Sequence, residues 1–431
     1  MLSIFNLEGT RLVFQKIIFD EEYKNLYAKI QLSNQVYNNS QDQQIIIYSK
    51  YFLKIYKFDG TDIEKLYETN NNILDTRLFN NQFYYVESFY NGNNSKDDEV
   101  NWDMLYYDGI SNCEYIYKMV RLNLNNIEDK TVVDLASGYT ATLYMNQTNI
   151  IITNESYICY SGDITLACMF DLELNSLGVF AIEGSINDQY SMDVYETYFR
   201  VVATTVERKN YLTIFDMESK KITSILGGIG KKYETVRSVS FTDDKCYVVT
   251  YVNTDPLYEI DITDPYNPKI IDSLEVPGYS SYMKPFEING QTYIFGAGYS
   301  SNFNYKYSIF KDDENNYQIG NDYIIETYFA DYYLDVVDYR ESIYYTSFTY
   351  RRDMCIDPHA MFFFVDDEAD ILYFGAPVNS LKFTLYKIDV TNEEEPIKVY
   401  KEFDTNGETR IFLYENTWYL PQSDNLITSE F

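Results

Sequence analysis

The chain has 431 residues, 45% of them hydrophobic, and carries 34 basic and 66 acidic side chains for a formal net charge of −32 at pH 7. This hydrophobic content is too high for a disordered chain and is sufficient for a large buried core. The negative charge repels phosphate backbones and anionic lipid surfaces at long range, so nucleic acid is excluded as an expected partner.

The N-terminal sequence lacks the charged segment followed by an apolar segment that is typical of a signal peptide. No stretch of the sequence approaches the roughly 18 apolar residues of a membrane-spanning helix. We therefore expect no membrane insertion, and a protein that is cytoplasmic or incorporated into a larger particle.

The aromatic residues are mostly tyrosine (47) and phenylalanine (27), which favour strands over helices. A short signature recurs along the chain, in which an apolar strand is followed by Asp or Asn, a turn and another strand. Its copies in chain order are SIFNLE around Asn6, IYKFDG around Asp59, MVRLNL around Asn123, CMFDLE around Asp171, LTIFDME around Asp216, LYEIDIT around Asp261, SIFKDD around Lys311 or Asp312, and LYKIDVT around Asp389. The Asp or Asn is expected to accept hydrogen bonds from the turn that follows it.

Most copies are spaced by about 45 to 64 residues, the length of a four-stranded propeller blade. The sequence therefore predicts an all-β fold in which residues 1–431 form a single β-propeller domain of eight four-stranded blades, with seven blades as the alternative. The residues after Asp389 and those before Asn6 together amount to about one further blade. We therefore expect residues 2–7 and 11–17 to complete a sheet begun by residues 409–421, so that N- and C-terminal strands pair and close the ring.

Two segments exceed a common blade and are read as insertions, near residues 89–103 and 328–352. Loops on a rigid scaffold usually carry recognition, and the second insertion has the tyrosine and arginine content of an interface. Its candidate partner-binding residues are Tyr328, Tyr332, Tyr333, Tyr339, Arg340, Tyr344, Tyr345 and Tyr350. Because the chain is strongly acidic, the predicted partner is a protein with a basic face.

The stretch from Arg200 to Phe286, together with DPHAMFFF and DILYFGAPV further on, resembles a prokaryotic β-propeller family distantly related to WD repeats. That family is usually found in secreted or surface proteins with a C-terminal β-propeller domain. Its motif positions are matched by Asp255, Pro256, Asp261, Asp264, Pro265, Pro268, Pro277, Gly278, Tyr279, Asp357 and His359. The resemblance implies a propeller fold and no established catalytic chemistry, and it alone points to surface export. We expect structural places in strands and turns for these residues.

The chain contains a single histidine, His359, so a multi-histidine metal site is excluded, and one ring without a nucleophile is weak support for catalysis. The run LGGIGKK, beginning at Leu226, lacks the spacing of a phosphate-binding loop and predicts a turn between blades. The five cysteines are sparse, and we expect buried thiols, with the pairing of Cys159 and Cys168 left open. No catalytic, cofactor or metal site is predicted.

The leading hypothesis is a non-enzymatic propeller that binds other proteins or serves as a structural part of a larger assembly, such as a virion or a cell-surface machine. One alternative is a carbohydrate-binding propeller, for which only Trp102 and Trp418 are available as tryptophan platforms. Another is a hydrolase or lyase that uses carboxylates at the propeller channel. The sequence leaves the oligomeric state and the partner open.

Overall fold

The computed structural model describes most of the chain. The described residues are 2–8, 11–18, 29–32, 43–58, 63–90, 115–137, 141–158, 162–251, 255–276, 278–302, 304–312, 317–325, 338–339, 342–343, 361–366, 369–379, 381–405, 411–414, 417–421 and 426–431. The chain divides into two compact units. Unit 1 comprises Met1–Tyr233 and Asp264–Pro268, and unit 2 comprises Glu234–Thr263 and Lys269–Phe431.

Unit 1 is built from strands and one short 3-10 helix, Gln189–Ser191, within its described residues. Its strands are β1 (Leu2–Glu8), β2 (Arg11–Ile18), β3 (Lys29–Leu32), β4 (Gln43–Ser49), β5 (Phe52–Phe58), β6 (Ile63–Thr69), β7 (Asn72–Phe79), β8 (Gln82–Tyr90), β9 (Tyr115–Asn123), β10 (Asn126–Ser137), β11 (Leu143–Met145), β12 (Asn149–Ile158), β13 (Gly162–Asp171), β14 (Ser176–Glu183), β15 (Met192–Tyr195), β16 (Tyr198–Thr204), β17 (Asn210–Asp216) and β18 (Lys221–Ile229).

Unit 2 consists of strands in its described residues. They are β19 (Thr235–Phe241), β20 (Lys245–Tyr251), β21 (Asp255–Asp261), β22 (Lys269–Val276), β23 (Tyr279–Ile288), β24 (Gln291–Tyr299), β25 (Tyr305–Lys311), β26 (Tyr317–Gln318), β27 (Tyr323–Ile325), β28 (Asp338–Tyr339), β29 (Ser342–Ile343), β30 (Phe362–Asp366), β31 (Ile371–Asn379), β32 (Lys382–Ile388), β33 (Ile397–Asp404), β34 (Phe412–Tyr414), β35 (Thr417–Pro421) and β36 (Leu426–Glu430).

The sheets are antiparallel meanders in which consecutive strands are neighbours. Unit 1 holds the four-stranded sheets β3–β6, β7–β10, β11–β14 and β15–β18, and unit 2 holds β19–β22, β30–β33 and a five-stranded sheet, β23–β27. The recurring signature ends the third strand in each of these sheets, at β5, β9, β13, β17, β21, β25 and β32. The prediction of an all-β chain of repeated four-stranded sheets is therefore confirmed for these segments.

Burial changes across each sheet in the way expected when sheets stack face to face. The second and third strands are buried on both faces, as in β16 and β17, where aromatic and β-branched side chains lie in nearly continuous runs. The fourth strands instead alternate between buried and exposed side chains or are largely exposed, as in β14 and β33. The fourth strand is thus the outer edge of its sheet.

Most of the hydrophobic core clusters lie between successive sheets, and one lies within the sheet β3–β6. In unit 1 Phe180 of β14 packs with Phe199 and Phe215 of the following sheet, with ring centroids 5.5 and 5.4 Å apart. In unit 2 Phe295 packs in the same way against Phe374, at 4.7 Å. Each sheet is therefore stabilised by its neighbours in sequence.

The terminal strands form as predicted, but their pairing differs from the predicted closure. In the described residues β1 pairs with β2, and the sheet β34–β36 contains three strands from the C-terminal segment. The third-strand position predicted for residues 2–7 is occupied by Leu426–Glu430, which pairs with β35. Closure by the termini and the number of blades stay predictions, as does the single-domain description.

Two local features concern the second insertion and the glycine run. A short strand pair is found inside the second insertion, where Asp338–Tyr339 pairs with Ser342–Ile343. The turn predicted for the glycine run is wrong in its first half, because Gly227 and Gly228 belong to β18, where they form an irregularity in the pairing with β17 just before Ile229. A pair of glycines is tolerated there because an outer strand has fewer side-chain contacts to lose.

Replacing Gly278 with Ala is expected to lower the free energy of unfolding by more than 2 kcal/mol, roughly the upper range for strained backbone positions. Gly278 has a φ of +84°, and an added Cβ would lie 2.1 Å from the carbonyl oxygen of Tyr299. Gly290 is the matched control, since its φ is +72° but the space around it is open. Gly290→Ala is expected to cost about 1 kcal/mol. The free energy of unfolding of both variants is measured in urea, and equal losses for the two would contradict this account.

Candidate interaction surface

Most residues proposed for partner binding lie outside the described part of the chain. Tyr328, Tyr332, Tyr333, Arg340, Tyr344, Tyr345 and Tyr350 are in this group, and Tyr339 is described only through its backbone in β28. The motif residues Asp357, His359 and Pro277 lie outside it as well. Their roles stay predictions.

The described motif residues occupy turns and strands, as expected. Asp264 accepts a hydrogen bond from the backbone N–H of Tyr266 at 3.0 Å, and Pro265 accepts one from the Ser224 hydroxyl of β18 at 2.7 Å. Pro268 is buried immediately before β22 begins. Asp255, Pro256 and Tyr279 lie in strands β21 and β23. These contacts fix a turn and present no reacting group.

The Asp or Asn of the signature closes the turn that follows the third strand. Asp261 accepts the backbone N–H of Thr263 at 2.9 Å, and Asp389 accepts that of Thr391 at 3.1 Å. Asn123, Asp171 and Asp216 make the corresponding bonds to Asn125, Glu173 and Ser219. The backbone donor of Thr263 lowers the pKa of Asp261, and the hydroxyl of Thr391 lowers that of Asp389. The predicted turn-closing role is confirmed at these positions.

Polar side chains of the first strands link neighbouring sheets of unit 1. Arg77 of β7 binds Asp75 at 2.7 Å and donates to the carbonyl of Leu143 in the next sheet at 2.8 Å, and it also contacts the Gln189 amide. The hydroxyl of Tyr144 receives a hydrogen bond from the backbone N–H of Val194 at 3.2 Å. These contacts link the first strands of adjacent sheets.

Arg200 forms a further charged contact of unit 1. Its Nε donates to Asp193 Oδ2 at 2.9 Å, its Nη2 contacts the same carboxylate, and its guanidinium lies 4.9 Å from the centre of the Tyr195 ring. Arg200 is buried, so the ion pair is shielded from solvent. No pattern in the sequence predicts this ion pair, because Asp193 and Arg200 lie on different strands.

Unit 2 contains a buried charge network between two successive sheets. Lys245 Nζ lies 2.6 Å from Glu259 Oε1 and 2.5 Å from Asp312 Oδ1, and the Tyr247 hydroxyl donates to Asp312 Oδ2 at 2.6 Å. The side chain of Glu259 is 2% exposed. Both carboxylates are thus engaged by a cation that belongs to the same network, which is the arrangement of a structural ion pair. Within the described residues no three His, Cys, Asp or Glu side chains are grouped to hold a metal ion.

Stability is expected to fall as pH rises from about 10 to about 12, beyond the ordinary pKa of tyrosine. Burial raises the pKa of Tyr84 and of Tyr144 to about 12. Over this pH range the folded chain keeps protons that the unfolded chain releases, so the free energy of unfolding decreases with pH. Tyr84→Phe, which removes one such group, should show a smaller decrease in urea midpoint between pH 9 and pH 11. An equal decrease in the variant would contradict the assignment.

Large apolar side chains are exposed on the outer strands. In β18 Ile222 is 51% exposed and Ile225 is 56% exposed, and in β14 Val179 is 43% exposed. Outer strands β22 and β33 of unit 2 expose Ile271 and Val399 in the same way. Exposed apolar side chains on edge strands are costly for a protein that has no partner there, since they favour association. We refer to the exposed side chains of β14 and β18 as the outer-strand surface.

Three further groups bear on function. Cys168 is a buried thiol without a disulfide, burial raises its pKa to about 12, and Cys246 is also buried, which agrees with the expected structural thiols. Trp418 is fully buried between β30–β33 and β34–β36, so it offers no exposed ring to a sugar. Cys159 and Trp102 lie outside the described residues. Within the described part of the chain, no helix has the length and apolar character to cross a membrane.

Two archaeal relatives match part of the chain. An uncharacterized protein of Archaeoglobus fulgidus is 31% identical over 163 residues, which are 38% of this chain and 25% of that protein. An uncharacterized protein of Methanocaldococcus jannaschii is 32% identical over 176 residues, 38% of this chain and 27% of that protein. The chain thus matches about a quarter of the length of each relative.

Two solved structures resemble the chain at low sequence identity. The β-propeller domain of the Trilobed protease from Pyrococcus furiosus has 14% identity and a TM-score of 0.40, over 83% of this chain and 94% of that one. A putative 6-phosphogluconolactonase from Bacteroides uniformis has 11% identity and a TM-score of 0.40, over 76% and 90%. We base no functional argument on these likenesses. The family model for the β-propeller domain matches residues 6–320, and the chain therefore belongs to the β-propeller domain family.

Proposed function

We propose that this chain is a non-enzymatic β-propeller whose function is to bind another protein as part of a larger assembly. The observation that carries the proposal is the outer-strand surface, in which Ile222 and Ile225 are more than half exposed on an edge strand. A strand edge combines apolar side chains with backbone donors and acceptors, and both are features by which proteins recognise extended segments of other proteins.

The charged groups support a structural rather than a catalytic reading. Lys245 is paired with both Glu259 and Asp312, and Arg200 is paired with Asp193. A general acid or base needs a group that can exchange a proton with a substrate, and groups held in buried ion pairs are poorly placed to do so. The carboxylate-based hydrolase therefore gains no support from these contacts, and the carbohydrate alternative loses Trp418 as a platform.

The partner's properties remain those expected from the sequence. A net charge of −32 favours association with a basic face, and the rate should fall as salt screens that attraction. The tyrosine-rich segment 328–352 is proposed as a further contact, so that deletion of residues 331–347 should abolish partner binding while sparing the fold. The relation to WD repeats and a surface location are also carried only by sequence resemblance.

The proposal is tested by affinity capture from an extract of the native source, with the tagged full chain as bait. We expect a defined protein to bind in a fixed stoichiometry, to be displaced by excess untagged chain, and to bind more slowly at higher salt. Absence of a displaceable protein, combined with saturable binding on a glycan array or turnover of a sugar substrate, would overturn the proposal.

A further inference from the structure

We draw no further inference here: the strongest candidate, the outer edge of β18 in unit 1 with its exposed Ile222 and Ile225, carries none because nothing in the described part of the structure shows what covers it.

Discussion

Replacement of Lys245 by Met is expected to lower the free energy of unfolding by about 3 to 5 kcal/mol, the cost of breaking a buried ion pair by removing one partner. Lys245 Nζ lies 2.6 Å from Glu259 Oε1 and 2.5 Å from Asp312 Oδ1, and both carboxylates are almost fully buried. Without the ammonium group, two negative charges remain close together in a poorly solvated site. Chemical denaturation at pH 7 measures the loss.

The control for this variant is Lys382→Met. Lys382 pairs with Glu402 at 3.0 Å in the same unit, but both side chains are well exposed. Exposed ion pairs contribute about 1 kcal/mol or less, so this variant should unfold nearly as wild type does. Equal losses for Lys245→Met and Lys382→Met would show that the buried network contributes no more than a surface pair.

Trp418→Ala is expected to cost about 3 to 5 kcal/mol, as for other large aromatic side chains deleted from cores. Trp418 is 0% exposed and belongs to a cluster with Phe383, Leu385 and Phe403, which connects β34–β36 to the preceding sheet. Its ring is perpendicular to that of Phe362 at 5.5 Å. Removing the indole leaves a cavity at the junction of two sheets.

Trp418→Phe separates the loss of volume from the loss of the indole N–H. Within the described residues the Nε1 atom has no hydrogen-bond partner, so the change to Phe sacrifices no such bond. We expect a loss clearly smaller than that of Trp418→Ala, measured by the same denaturant titration. If the two variants were equally unstable, packing in this cluster would not explain the effect.

The repeat of strands could be predicted because it depends on local sequence. Each signature joins an apolar strand to an Asp or Asn that closes the next turn, as at Asp261 and Asp389, and this pattern depends on near neighbours alone. The pairing of the terminal strands depends on contacts between distant segments. Spacing alone could not show that Leu426–Glu430 would pair with β35.

The buried network could not be predicted for a related reason. After the signature residue most copies have an apolar side chain, and Leu124, Ile262 and Val390 are buried there. In the copy that contains Lys311, this position is held by Asp312, a residue type more common in exposed turns than in cores. Only the packing of successive sheets brings Lys245 and Tyr247 to it. The exposure of edge strands, which defines the outer-strand surface, likewise depends on how the sheet is assembled and not on local sequence.

Most of the core clusters are shared by two successive sheets, so a single sheet buries only part of its apolar side chains by itself. Phe180 needs Phe199 and Phe215 of the next sheet in order to be buried, and Phe295 needs Phe374. An excised sheet would expose both of its faces, so the smallest autonomous folding fragment of unit 1 or unit 2 contains at least two consecutive sheets. Limited proteolysis should accordingly release fragments that end between sheets and include pairs of them. Unfolding within a unit should spread from one sheet to the next, as in other proteins stabilised by nearest-neighbour contacts.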